Sequence, residues 1–346
     1  MTAVDGLGLV IFVGLAAYTV LGGADFGAGL WDLSRDRAQR DLVARAMAPV
    51  WEANHVWLIF VVITLFTGFP GAFGALSRAL VAPVSVALLG IVLRGAAFVF
   101  RQYGGSHDTH DTHDTHDTHD TNGSSGAGRP VRGTALWGRV FAISSLVTPF
   151  AFGTAAGALA LGTLRADGSA GLWAPYLAPL PLLAGLLAVT CCAYLAAVYL
   201  SRDAERIESP ALVARFRRRA LSTGVLAGGL ALAALPLLPP ALGGALRGVG
   251  LPAVLVSATG GVLGLVLLWR RRHGLARIAA ACAPVGLLAG WALGVYPWVL
   301  PGQLLLAESA APPVIAGPVL IVLLSGLAVV APSYVFMLRV LRAGAD

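Results

Sequence analysis

Glu52 and His55 stand three residues apart in the stretch Ala48-Pro49-Val50-Trp51-Glu52-Ala53-Asn54-His55-Val56-Trp57. On a helix that spacing, like the four residues between Trp51 and His55, places the three side chains on one face, with Asn54 and Trp57 paired beside them. Pro49 suits a helical first turn, where no backbone donor is missed. A helix starting near 48 puts Glu52 about 6 Å in from its end, within reach of water yet pointing into a bundle. A carboxylate and an imidazole so placed suit a proton-entry site, because burial can move their pKa values toward neutrality. The same pair could simply hold two helices together, and both readings stay open. As a haem or metal ligand His55 is the weaker reading, since no second His, Met or Cys is placed to join it.

Two further ionisable residues sit in apolar surroundings. Asp25 lies in Gly-Gly-Ala-Asp-Phe-Gly-Ala-Gly (22–29), whose small residues admit a neighbouring helix. It reads either as an interfacial carboxylate near a helix end or as an inward-facing group. Arg94, in Leu-Arg-Gly-Ala-Ala-Phe-Val-Phe-Arg (93–101), can snorkel out of the membrane or pair with Glu52, Asp25 or an anionic group of a partner. Buried charge in a membrane is costly and therefore informative, and Asp25, Glu52 and Arg94 are expected at one depth.

The elements that position them follow from composition. Of 346 residues 57% are hydrophobic and 12% charged, about half the charge a soluble domain needs to cover its surface. The runs 6–24, 53–77, 140–164, 168–201, 220–246, 248–269, 278–307 and 309–338 contain no Asp, Glu or Arg, and 79–100 is broken only by Arg94. Crossing a bilayer takes about 20 apolar residues, so the expectation is an all-α, polytopic bundle of about nine spans. The runs 168–201 and 278–307 are long enough to bend or re-enter, and Pro236, Pro239 and Pro240 should stop the helix of 220–246. The first span lacks a basic leader and a cleavage site, so it reads as a retained helix.

All basic residues are arginine, and they alternate along the chain. The odd connections and the C-terminus hold twenty, from Arg35 to Arg342, whereas the even ones hold only Arg78, Arg165 and Arg247. The positive-inside tendency then puts the N-terminus outside and the C-terminus in the cytoplasm, which requires an odd number of spans. Residues 1–100 form the motif-bearing first three spans, 101–134 a cytoplasmic loop, and 135–346 six further spans. The loop carries a His-Asp-Thr repeat at 107–121, read as a dispensable low-complexity expansion more than as a metal site. Cys191, Cys192 and Cys282 read as small buried hydrophobes. Spans four to nine hold almost nothing ionisable, and no phosphate-binding loop, nucleophile–base pair or CxxC appears. Nucleic acid is not an expected partner, since the net positive charge sits where topology would put it.

The three stretches 22–29, 48–59 and 93–101 together resemble hallmark segments of subunit II of cytochrome bd-type quinol oxidases. The second, Pro-x-Trp-acid-x-Asn-x-Val-Trp, is the most specific. Beyond 135 the likeness is of span number, length and orientation. The resemblance implies a haem-free subunit of a complex in the bacterial cell membrane that oxidises quinol and reduces dioxygen to water. Haem b and haem d would belong to a partner subunit I, with no cofactor of this chain's own, though a bound quinone or a small accessory subunit would be compatible. By position, Glu52 would be a proton-path carboxylate, with Asp25 and His55 on the same path. Trp57 would lie beside an oxygen route and Arg94 would face the partner's haem region. The chain departs from the pattern in having His55 where Gln is common and Val99 where some members have another acid. Two other classes compete, a secondary transporter and a purely structural assembly subunit. Against the transporter, no internal repeat or pair of Gly/Pro-broken helices is evident.

Overall fold

The computed structural model describes residues 2–34, 36–47, 51–103 and 132–343, without the side chains of 51, 52, 101–103, 132–135, 338 and 341–343. Glu52 therefore contributes a backbone position only, and the His-Asp-Thr repeat lies outside the described residues.

Helices make up nearly all of the described chain: α1 (Ala3–Trp31), α2 (Arg37–Met47), α3 (Trp51–Gly68), α4 (Pro70–Ala79), α5 (Val81–Tyr103), α6 (Arg132–Leu161), α7 (Pro179–Arg206), α8 (Pro210–Ala234), α9 (Pro240–Arg247), α10 (Leu251–Trp269), α11 (His273–Val295) and α12 (Pro313–Ala343). Eight helices are long and apolar enough to cross a membrane, and a ninth crossing is made only if α3 and α4 count as one broken span. The chain is a multi-pass membrane protein.

The run 53–77, expected to supply one span, is broken in two. The chain turns through 118° between α3 and α4, at Phe69, with Pro70 opening the second helix. Proline there cannot donate to the preceding turn. The amide of Ala311 donates to the freed Gly68 carbonyl (2.8 Å). The long run 278–307 is likewise divided, since α11 ends at Val295 and a small antiparallel hairpin, β1 (Trp298–Leu300) with β2 (Leu304–Leu305), follows. After α8, a single 3-10 turn at 235–237 and the short α9 occupy the proline-rich segment.

Helix α1 is the hub, packing on α3, α6, α7, α11 and α12. Its glycines explain the closeness. A side chain at Gly27 would overlap the Cys192 carbonyl of α7, and one at Gly29 would overlap the Ser145 hydroxyl of α6. Without a hydrophobic drive between helices in lipid, such close backbone approach is a main source of cohesion. The remaining helices pack largely as neighbours, α5 on α6, α6 on α7, α7 on α8 and α10 on α11.

Contacts gather the arginine-rich turns at one end. Arg215 of α8 bonds Asp36, Arg217 donates to the last carbonyls of α10, and Arg277 of α11 stacks on Tyr199 of α7. Beside them the indole of Trp31 donates to Ala193 O (3.1 Å) and carries the Arg219 guanidinium on its face. At the other end Arg78 donates to Ala166 O (3.0 Å).

Candidate functional site

Asp25 is six residues short of the end of α1, about 9 Å inside it, and so is no helix cap. The helix runs on because the carboxylate has a dedicated partner. Arg94 Nη1 donates to Asp25 Oδ2 (2.7 Å), Nη2 to Oδ1 (2.8 Å) and to the Asp25 backbone carbonyl (3.0 Å), and Nε to Ser145 Oγ (2.9 Å). Ser145 Oγ in turn donates to Phe141 O (2.7 Å). The guanidinium is held between the rings of Phe26 and Phe141, 4.9 and 4.7 Å from their centroids. Asp25 is 4% exposed and Arg94 2%. This is the bidentate geometry in which Arg matches a carboxylate best.

The pairing chooses among the options open for Arg94. It neither snorkels to the surface nor points out of the bundle, where the resemblance placed it toward a partner's haem. It is turned inward, and Ser145, a residue that the sequence did not single out, holds it sideways. Position 99, where the resemblance led to an expected acid in some members, carries an exposed valine on the same helix.

Next to the pair lies a second cluster, of Tyr18, Phe26, Trp57 and Cys192. Tyr18 sits edge-on to Phe26 and Phe152, with the His55 ring 6.1 Å away. Tyr18 Oη, His55 Nδ1 and Trp57 Nε1 are each buried with no hydrogen-bond partner among the described residues. Asn54, 1% exposed, is fully engaged: its amide donates to Leu21 O (3.2 Å) and its carbonyl accepts from Tyr334 Oη (2.8 Å). Tyr334 in turn stands edge-on to Trp57. The polar–aromatic pair foreseen at 54 and 57 thus ties α3 to α1 and α12. Tyr18 and Tyr334 were missed in the sequence because a tyrosine in an apolar run looks like any interfacial anchor.

The structure brings together Asp25 with Arg94, and His55 with Tyr18. The Glu52 side chain lies outside the described residues. Among the described residues no group of three His, Cys, Asp or Glu converges as a metal site.

A bundle of long apolar helices around one buried, bidentate ion pair defines a polytopic membrane protein with charge fixed inside it. The family model for cytochrome bd terminal oxidase subunit II matches residues 7–116 and 127–341, and the chain belongs to that family. The likeness first visible at 22–101 therefore extends over almost the whole chain. A chain of Bacillus subtilis (strain 168) provisionally named cytochrome bd menaquinol oxidase subunit II is 36% identical over 87 residues, 24% of this chain and 25% of its own. The cytochrome bd ubiquinol oxidase subunit 2 of the same organism is 33% identical over 94 residues, 27% of each chain. These matches span about a quarter of the length of the curated relatives. The solved bd oxidase of Geobacillus thermodenitrificans superposes with a TM-score of 0.73 at 20% identity, covering 98% of both chains. At that identity the likeness is one of fold.

Proposed function

We propose that this chain is the haem-free subunit of a cytochrome bd-type terminal oxidase, an oxidoreductase complex in which a partner subunit carries haem b and haem d, oxidises quinol and reduces dioxygen to water. Family membership over nearly the whole chain supports this reading above a transporter. The chain supplies the partner with a rigid helical half and with titratable groups near the arginine-rich end. That end faces the cytoplasm, in keeping with the positive-inside tendency.

The observation that carries the proton role is the contrast between the two clusters. Asp25 and Arg94 satisfy each other, so a proton taken up by Asp25 breaks a bidentate bond. His55 and Tyr18, in the neighbouring cluster, have buried hydrogen-bonding atoms without a partner among the described residues, and buried polar atoms of that kind are commonly satisfied by internal water. We place Glu52 and His55 on a water-fed proton path, Asp25 as its fixed inner boundary, and Trp57 beside the gas route. Arg94 positions Asp25; its burial gives no support to a haem-facing role.

The deciding experiment replaces Glu52 by Gln and by Ala in the intact complex. Turnover falls about tenfold or more in both if the carboxyl carries protons, with haem content and subunit composition unchanged. Full turnover in both variants would leave a purely structural subunit as the better reading.

A further inference from the structure

The turn between α10 and α11 is built in an unusual way. Arg272 N donates to Leu267 O (2.8 Å) and Arg271 N to Leu268 O (3.1 Å), the paired bonds of a Schellman ending, in which the residue after the cap adopts a left-handed conformation and is usually glycine. Here it is Arg271, with φ +59°. Helix α11 then begins at His273 with no side-chain cap and no acidic residue in its first turn. Its leading amides are left without intrahelical partners, and the helix dipole adds positive character.

These features line an open groove of about 470 Å³, formed by Arg202, Glu205, Arg271, Arg272, His273, Gly274 and Leu275. Glu205 is engaged by Arg202, and Asp203 lies 3.9 Å from both Arg206 and Arg277. Arg271 and Arg272 are exposed and have no carboxylate partner among the described residues. An independent sign comes from the groove's floor. His273 is 3% exposed, with its Nδ1 3.6 Å from Glu205 Oε1 and its Nε2 buried without a hydrogen-bond partner among the described residues. Below the groove the surface turns apolar: Leu275 and Ile278, one turn apart on α11, and Trp269 at the end of α10 are all more than half exposed.

We propose that this groove binds the phosphate of an anionic phospholipid at the arginine-rich face of the membrane. Arg271, Arg272 and the first amides of α11 hold the phosphate, and the acyl chains lie along Leu275 and Ile278. Charge and shape both select this occupant: uncompensated guanidinium groups meet a free helix N-terminus, a known phosphate cradle, where an apolar helix face enters the bilayer. A free phosphate would satisfy the upper part of the groove and leave the apolar part unused.

The test uses the full chain in its native complex, purified and stripped of lipid, then exposed to phosphatidylglycerol, phosphatidylcholine or inorganic phosphate. The lipid that stays bound is counted by native mass spectrometry. The wild type should retain phosphatidylglycerol about tenfold better than phosphatidylcholine. The double variant Arg271→Gly/Arg272→Gln should lose most of that preference, as expected for two interfacial arginines, and Arg247→Gln at the opposite end should not. Arg272→Gln alone, which leaves the turn's backbone untouched, serves if the double variant folds poorly, and should lose part of the preference. Equal retention of the two lipids by the wild type, or full retention by the variants, overturns the proposal. So does displacement of phosphatidylglycerol by an equal concentration of inorganic phosphate, which would assign the groove to the free ion.

Discussion

Arg94 donates to Asp25 from both terminal nitrogens, and removing either residue leaves the other charged and buried. Asp25→Asn or Arg94→Leu should each destabilise the complex by about 3–5 kcal/mol, read as a lowered thermal midpoint and reduced assembly. The double variant Asp25→Ala/Arg94→Met should recover more than half of that loss, because no lone charge remains; a double variant as unstable as the sum of the singles would contradict the pair. Asp36 behaves differently, being outside the bundle. The Arg215 hydrogen bond holds its carboxyl below the usual carboxylate range, so its contribution is fully present above about pH 4, the ordinary aspartate value, and fades as pH falls through the depressed one. Melting curves from pH 7 to 3 should show a shallower acid loss for Asp36→Asn than for the wild type. In the sequence the ionisable members of the site were visible because charge in an apolar run stands out. Their partners were less so: that Arg94 pairs with Asp25 needs the third dimension, and hydroxyls such as Ser145 and Tyr18 carry no signal that separates them from packing residues.

At the scale of helices, the glycines of 22–29 set how near α1 comes to its neighbours. Gly27→Ala would drive a methyl into the α7 backbone at Cys192, and should cost about 1–3 kcal/mol, the usual range for overpacking. Gly228→Ala on α8, where nothing lies within 4 Å, should be neutral or gain up to about 1 kcal/mol through helix propensity. Thermal unfolding of the two variants side by side checks the contrast. Uncharged length located the helices well, but it could not locate their ends. Pro70 was plain to see inside the run 53–77, yet proline is tolerated in membrane helices where neighbours satisfy the freed carbonyl. Only the Ala311 amide, 243 positions from Gly68 in the chain, shows that here the helix turns away. The hairpin after α11 was hidden for a similar reason, since five apolar residues read equally as strand or helix.

Over the whole molecule, helices alternate in direction and collect the arginine-rich turns at one end. Glu208→Cys there and Ser169→Cys at the opposite end should therefore label differently with a membrane-impermeant maleimide added to intact cells. Position 169 should react and 208 only after lysis, and the reverse pattern would invert the orientation. The same geometry gives the Asp25–Arg94 pair an electrical character. As an intact couple it carries no net charge, so the voltage across the membrane does almost no work on it. One added proton turns it into a cation within the field, where an elementary charge crossing the full potential changes energy by about 2.3 kcal/mol per 100 mV. A proton step that opened the pair would therefore speed or slow with membrane voltage in proportion to its depth, whereas one that left the pair closed would leave Asp25 and Arg94 blind to it.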